Sequence, residues 1–307
     1  MPRIDQPLSP IVGRLEGLHL FHFDGAPCAQ RVRFALAEKG LARGREVRFD
    51  SSDPGDCQGE DGAWVSRIVS LVKKQHLTPA YAQIQPNLVV PALVHDGVLY
   101  TESMDIVEYI DQAFGGDPLV PRHDPALLAH VVELTEMGKR LHRSIRFVSF
   151  HWGLGRLGRL NGNEEARLRQ LLADQRDEEN LIQFYEGYDS GAIPEAVFIE
   201  HLDKLTEAFR HLEGLLEDNR EFLAGETLTM ADVIWAMKLL RLEETGYPFA
   251  RVFPRLQRWF ERVASRPAFV DGVMGKHRKL SKVFKAKAKL EAMLGVGLQQ
   301  VVMSRAA

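Results

Sequence analysis

The chain has 307 residues, of which 45% are hydrophobic and 26% charged, and this balance predicts a globular protein of two domains. Its formal net charge of −3 argues against a general nucleic-acid-binding surface. With only two cysteines, no secretion signal and no run of about 20 apolar residues, the sequence predicts a cytoplasmic protein without a transmembrane segment.

The first part of the chain, residues 17–115, mixes strand and helix patterns. Residues 18–24 alternate like a strand, and residues 28–41 have helical spacing that stops at Gly40. Residues 45–50 have the pattern of a second strand. The sequence therefore predicts a strand–helix–strand unit with a right-handed crossover.

A polar segment and a hairpin follow. Residues 51–63 are rich in turn-forming residues and predict a surface insertion, and residues 64–83 predict an interrupted helix. Asp96-Gly97 separates two apolar runs, which is a strong hairpin signal. Residues 102–114 return to helical spacing, so the predicted order of elements is β-α-β-α-β-β-α.

The remainder of the chain is helical in its hydrophobic period. A Gly/Pro-rich linker over residues 115–125 precedes an all-α domain expected over residues 124–270. The candidate helices are residues 125–152, 163–186, 193–219, 229–245 and 254–265. Thr229 and Asp232 have the spacing of a capping box, which indicates a structural role for both. Residues 271–307 are left as a basic, amphipathic C-terminal extension.

Three motifs in chain order carry a family resemblance. They are AQRVRFALAEKGL at 29–41, NLVVPALVHDGVLYTESMDIVEYID at 87–111 and LAGETLTMADVIWAMKLLRL at 223–242. Together they resemble the cytosolic glutathione S-transferase superfamily in its bacterial form. The resemblance implies glutathione transferase architecture, an α/β thioredoxin-like domain followed by an all-α domain, and it implies a homodimer.

The resemblance also implies glutathione as co-substrate. At Val90-Pro91 it implies a cis peptide bond, which would let the Val90 backbone pair with the tripeptide as an added strand. Glu102 and Ser103 would hold the γ-glutamyl end, since helix N-termini bind carboxylates. A helix cap alone is the alternative interpretation of Ser103, but it does not explain the match of the whole motif.

The chain departs from the family pattern near the other end of the ligand. Val89 stands where many classes have a glutamine, and Gln85-Pro86 replaces the usual Asn-Pro. Binding of the glycine carboxylate therefore falls to the segment before Pro79. Its candidates are Gln75 and the neighbouring Lys73, Lys74 and His76.

Cys28 is the candidate catalytic residue. The turn after the first strand, Asp24 to Cys28, contains no serine or tyrosine, and Cys28 stands where beta-class transferases have a similar cysteine. At a helix N-terminus the dipole favours a thiolate, and Arg31 is expected to add to this effect. The alternative is an inert buried cysteine. Cys57 is interpreted as a thiol without a catalytic role.

The expected reaction is attack by the glutathione thiolate on a small hydrophobic electrophile or a disulfide, with ether-cleaving and dehalogenating variants included. Trp152 is the candidate contact for the second substrate, although aromatic residues at helical spacing are more often core. No spacing of His, Cys and carboxylate residues indicates a metal site.

The C-terminal extension carries the alternative hypothesis. Residues 276–289 concentrate Lys and Arg beside a partial apolar stripe. The favoured interpretation is a helix folded across the protein with its basic face in solvent. The alternative function is a transferase-like, non-catalytic module that binds a partner or a membrane surface through this tail.

Overall fold

The computed structural model describes residues 3–4, 6–173, 177 and 179–306, with the backbone alone at 156, 157 and 306. They form two compact units. The first holds the described residues up to Asp117 and those of Leu160–Ala192, and the second holds those of Pro118–Arg159 and from Ile193 onwards. Residues 160–192 thus belong to the first unit, although the sequence groups them with the helical domain.

A mixed sheet is the frame of the first unit. Its strands are β1 (Arg3–Ile4), β2 (Leu18–His22), β3 (Ala42–Arg48), β4 (Ala63–Ile68), β5 (Ala92–His95) and β6 (Val98–Tyr100). Their order across the sheet is β1-β6-β5-β2-β4-β3. Strands β2, β3 and β4 run parallel, whereas β1, β5 and β6 join by antiparallel pairing.

The helices, in chain order, are α1 (Pro27–Glu38), α2 (Pro79–Ala82), α3 (Ser103–Ala113), α4 (Pro125–Arg140), α5 (His142–Val148), α6 (Gly162–Leu172), α7 (Leu181–Ser190), α8 (Glu195–Leu215), α9 (Met230–Thr245), α10 (Phe249–Val252), α11 (Pro254–Ala264), α12 (Pro267–Phe269), α13 (Arg278–Met293) and α14 (Leu298–Ala306). Helices α1, α2, α3, α6 and α7 lie in the first unit and the others in the second. The predicted fold class, a mixed-sheet domain followed by a helical one, is confirmed.

Strand β4 corrects the prediction of a helix from residue 64. It pairs directly with β2, so β3 is displaced to the edge of the sheet. Every side chain from Trp64 to Arg67 is buried, which removes the alternation that identifies a strand. The polar members are satisfied inside the fold: Ser66 Oγ lies 2.9 Å from His22 Nε2, and Arg67 donates to backbone carbonyls, among them Ser51 O at 3.0 Å.

The predicted hairpin is confirmed. Asp96 and Gly97 have φ values of +48° and +77°, the left-handed pair that suits a two-residue turn between β5 and β6. The Asp96 carboxylate also accepts a 2.6 Å hydrogen bond from the Gly17 N–H. The turn therefore fixes both the hairpin and the start of the chain segment that leads into β2.

Helices α1 and α3 are held together by a buried ion pair. Lys39 Nζ lies 2.7 Å from Asp111 Oδ1, and both side chains are almost fully buried. Gly40 follows with φ +73°, a conformation that glycine adopts at the end of a helix without strain. The pair fixes the C-terminal ends of the two helices whose N-terminal ends form the candidate site.

The second unit is organised around α9. Every side chain from Met230 to Leu242 is buried, so this helix is surrounded by protein on all sides. Its capping box is present as predicted, with Thr229 and Asp232 exchanging hydrogen bonds. The Asp232 carboxylate also accepts from the Leu223 N–H at 3.0 Å and from Trp259 Nε1 at 2.9 Å.

Two predicted helices are divided in the structure. Residues 125–152 become α4, α5 and a π-helical turn, Ser149–Leu154, and residues 163–186 are replaced by α6 and the separate α7. Within residues 125–152 the hydrophobic spacing continues across a change in the backbone hydrogen-bonding pattern, so the spacing alone does not locate the division.

Replacement of Asp232 by alanine is expected to destabilise the second unit by about 2–4 kcal/mol, because it leaves buried N–H donors without an acceptor. Urea unfolding followed by tryptophan fluorescence measures the change. Glu226→Ala, in the loop just before α9 and exposed, is the matched control and should have almost no effect. Equal effects of the two substitutions would show that the network does not stabilise the fold.

Candidate functional site

The N-terminus of α1 carries Cys28. Ala26, in an extended conformation, is the N-cap residue, and Pro27 occupies the first helical position. No side chain caps this end, so the partial positive charge of the first turn remains. Cys28, the second residue of the helix, is partly exposed. A thiol is thus presented at an uncapped helix N-terminus.

The segment around Val90 presents unpaired backbone groups. The Val90–Pro91 peptide bond is cis, as expected. Tyr81 Oη donates a 2.7 Å hydrogen bond to the Val89 carbonyl, and burial raises the pKa of Tyr81 so that it remains a donor. Within the described part of the chain, neither the N–H nor the C=O of Val90 makes a hydrogen bond. These two groups are available to an added strand.

The N-terminus of α3 combines a second uncapped helix end with a buried cation. Glu102 is the N-cap residue and contributes no side-chain cap, and Ser103 is the first helical residue. Arg31 Nη1 donates to Ser103 Oγ at 3.1 Å. The Arg31 side chain is only 4% exposed, and its Nε has no hydrogen-bond partner among the described residues. This combination of donors and charge suits a carboxylate.

Helix α1 connects these features. Cys28 and Arg31 are three residues apart, one helical turn, so they lie on neighbouring positions of the same helix. Ala26 and Ala29, on either side of Cys28, share a core cluster with Val90. The structure therefore brings the thiol, the Val90 segment and the α3 N-terminus into one unit.

Arg31 is the residue whose position the sequence did not reveal. The sequence suggests that it acts on Cys28, but the structure joins it to Ser103 on another helix. Spacing along α1 shows that Arg31 is one turn from Cys28 and cannot show which neighbouring helix it contacts. A buried arginine near the first turn of a second helix indicates an anion-binding site, but it can be recognised only once α1 and α3 are known to pack together.

Gln75 lies in the loop before α2 and holds part of that loop in place. Its Oε1 accepts a 2.7 Å hydrogen bond from the Ser70 N–H, while its Nε2 makes no hydrogen bond within the described residues. Burial, and to a smaller extent the charge of Lys74, lowers the pKa of His76 to about 4. His76 is therefore neutral at pH 7. A neutral imidazole offers no charge to a carboxylate, unlike the exposed Lys73.

Trp152 lies in the second unit, in the π-helical turn Ser149–Leu154. Its side chain is 9% exposed and packs edge-on against His151, which stacks on Phe198 at 4.0 Å between ring centroids. His151 Nε2 also lies 3.0 Å from a carboxylate oxygen of Glu195. Trp152, the predicted contact for the second substrate, thus packs in an aromatic cluster with His151 and Phe198.

Cys57 lies in an environment unlike that of Cys28. It is 3% exposed and belongs to the core cluster of the first unit. Arg67 lies nearby: burial lowers the pKa of that guanidinium, while the contact with Cys57 acts in the opposite direction. No group of three or more His, Cys, Asp or Glu side chains among the described residues is arranged to hold a metal ion.

The difference in exposure predicts that the native protein has one reactive thiol. An aromatic disulfide reagent should modify one thiol per chain quickly and the second at least about tenfold more slowly, because reaction requires access to the sulfur. Cys28→Ser should remove the fast phase, and the control Cys57→Ala should retain it. A fast phase that survives in Cys28→Ser would contradict the assignment.

Comparison with known proteins supports a family assignment. Residues 20–118 match the family model of the glutathione S-transferase N-terminal domain, and residues 178–267 match that of the C-terminal domain. Glutathione S-transferase 1 of Dianthus caryophyllus is 30% identical over 105 residues, which cover 34% of this chain and 38% of that protein. The chain thus spans under two fifths of that relative.

Longer matches extend over most of the chain. The human ganglioside-induced differentiation-associated protein 1-like 1 is 24% identical, covering 87% of this chain and 77% of that one. The structure of the beta-etherase LigF from Sphingobium covers 83% of this chain and 98% of its own, at 21% identity and a TM-score of 0.67. Glutathione transferase E6 of Drosophila melanogaster aligns with a TM-score of 0.60, at 19% identity and with 88% and 97% covered. The chain belongs to the cytosolic glutathione S-transferase superfamily.

Proposed function

We propose that this protein is a glutathione transferase in which the glutathione thiolate attacks a small hydrophobic electrophile or a disulfide. The observation that carries the proposal is the buried Arg31 guanidinium, bonded to Ser103 at the uncapped N-terminus of α3. A buried cation with a donor to spare is costly unless an anion joins it. The γ-glutamyl carboxylate of glutathione is such an anion.

The γ-glutamyl end would be bound by charge of both signs. Its carboxylate would accept hydrogen bonds from Arg31, from the Ser103 hydroxyl and from the N–H groups of the first turn of α3. Glu102 is exposed at the N-cap position and would face the ammonium group. A ligand that carries both charges on one carbon is therefore favoured over a simple anion.

The middle of the tripeptide would pair with backbone. The N–H and C=O of Val90 would bond to the cysteinyl residue of glutathione as an added strand, with Pro91 next to it. The glycine carboxylate would extend towards the loop of Gln75, whose Nε2 donor is unused within the described residues. Lys73 in the same loop offers a charge for the same group.

Cys28 would assist the sulfur of glutathione. As a donor, its S–H would stabilise the glutathione thiolate, which then forms a C–S bond while the leaving group departs with its electron pair. With a disulfide substrate, the thiolate forms a new S–S bond and releases the other sulfur as thiolate. Alternatively, the Cys28 thiolate would attack the disulfide and release one sulfur as thiolate, and the glutathione thiolate would then form an S–S bond with the retained sulfur and free Cys28. Glutathione is consumed in both reactions, as a co-substrate.

The similar proteins suggest candidate second substrates, an oligomeric state and a cellular location. One structural neighbour is named as a beta-etherase, so aryl ethers belong among the candidate electrophiles beside aryl halides. Trp152 is proposed as an apolar contact for this substrate. We further propose a homodimer in the cytoplasm, since the family is commonly dimeric.

Removal of the Cys28 thiol tests the chemistry. Cys28→Ala should lower kcat/KM by about 100-fold or more in whichever glutathione-dependent reaction the wild type catalyses, among an aryl halide, an aryl ether and a mixed disulfide. Retention on immobilised glutathione should persist. Cys57→Ala is the control and should keep full activity. Undiminished turnover in Cys28→Ala would exclude the proposed role while leaving glutathione binding to be judged separately.

Removal of the guanidinium tests the binding site. Arg31→Leu should weaken glutathione binding roughly 10- to 100-fold, because hydrogen bonds to a charged group contribute about 1.5–3 kcal/mol. Titration calorimetry with glutathione and with an analogue that lacks the γ-glutamyl α-carboxylate separates this contact from others. The analogue should bind wild type and Arg31→Leu with nearly equal affinity.

Arg33→Leu is the matched control for that experiment. Arg33 is also buried on α1, but it contacts His22 Nδ1 at 3.2 Å and the Asp24 carbonyl at 2.9 Å. Removal of the Arg33 guanidinium should change the affinities for glutathione and for the analogue by the same factor. If Arg31→Leu weakens both ligands by the same factor, Arg31 supports the fold and does not bind the carboxylate.

A further inference from the structure

Helix α13 has an unusual outward face. Six of the nine large hydrophobic side chains that are exposed among the described residues lie on this helix or in the turn that follows it. They are Leu280, Val283, Leu290, Met293, Leu294 and Val296, with exposed fractions between 38% and 77%. Positions 283, 290 and 294 recur at helical spacing and form one apolar stripe, which we call the α13 stripe.

The opposite side of α13 packs against the rest of the second unit. Phe284 and Ser281 are buried, and the helix docks on α9. His277, just before α13, makes a buried 2.7 Å contact with Glu244 of α9. Lys285 and Glu243 add an ion pair at 2.5 Å. The helix therefore has a filled inner face, and the α13 stripe is a second apolar surface left in solvent.

Cations border this stripe with few acids to offset them. Residues 276–307 contain eight of the 39 Lys and Arg residues of the chain but only one of its 42 acidic residues, Glu291. Glu291 is paired with Lys287 at 2.7 Å. Among the described residues no acid pairs with the exposed Lys279, Lys282 or Lys289. The surface is thus apolar along its centre and positive along its edges.

We propose that the α13 stripe docks on an anionic lipid bilayer, with α13 lying in the plane of the headgroups. Exposed apolar side chains would enter the acyl boundary, while lysines would meet lipid phosphates. A second copy of the chain fits less well, because a two-fold contact through this face would oppose two rows of unpaired lysines. No helix among the described residues is both long and apolar enough to cross a bilayer, so the contact is peripheral.

Co-sedimentation of the full chain with vesicles tests the proposal. The wild type should bind equimolar phosphatidylglycerol–phosphatidylcholine vesicles, bind phosphatidylcholine alone much more weakly, and dissociate as salt is raised. Leu290→Gln/Met293→Gln/Leu294→Gln should weaken binding at least about tenfold, because it removes most of the inserted apolar area. Lys279→Gln/Lys282→Gln/Lys289→Gln should weaken it by about fivefold per lysine and remove the preference for anionic lipid.

A matched control replaces equally exposed apolar residues elsewhere. Leu8→Gln/Val72→Gln/Val132→Gln should bind vesicles like the wild type. Absence of vesicle binding, or equal weakening by the control, would overturn the proposal. Sedimentation equilibrium gives a further check: if the α13 variant lowers the solution mass of the protein, the stripe is a contact between copies and the proposal is wrong. Retention of each variant on immobilised glutathione reports on folding and separates this result from the proposed transferase function.

Discussion

The candidate site depends on how α1 is fixed against α3. At one end of this contact, the buried pair of Lys39 and Asp111 holds the helices together, and towards the other end Arg31 reaches Ser103. Both contacts put a cation that lies on α1 or directly after it against a polar group of α3, in an interior where an unpaired charge is strongly disfavoured. The spacing between Cys28 and the first turn of α3 is set by these contacts. In the pose that we propose, glutathione spans from the thiol to the γ-glutamyl site and needs that spacing to be constant.

The sequence predicts the parts of this arrangement that are encoded locally. The hairpin at Asp96-Gly97 and the helix beginning at Ser103 depend on neighbours in the chain, and both are found. The capping box of Thr229 and Asp232 is encoded in the same way. What local patterns cannot supply is the contact between Arg31 and Ser103, which are 72 residues apart. The sequence therefore predicts which residues belong to the candidate site, whereas the fold determines how they are arranged.

Strand β4 shows a different limit of sequence reasoning. Hydrophobic periodicity identifies a strand by one apolar and one polar face, but a central strand of a covered sheet has no polar face. In β4, Ser66 and Arg67 are polar and buried, because His22 and backbone carbonyls complete their hydrogen bonds. Cys57 is likewise buried in the core cluster of the first unit, although it lies in a segment whose composition indicates a surface loop. Long-range contacts thus bury residues that a local pattern assigns to a helix in one segment and to a surface loop in the other.

The sequence of α13 supports two interpretations. Its composition combines a partial apolar stripe with lysines, and this fits both a helix folded on the protein and a helix on a lipid surface. In the structure, one face of α13 packs on the protein: Phe284 and the His277–Glu244 contact dock the helix on α9. The contact with α9 buries only that face. It therefore does not explain why Leu290 and Leu294, on another face of the helix, are apolar and exposed. A helix anchored on one side can present the other at a fixed orientation, without the entropy loss of folding a free tail at the surface.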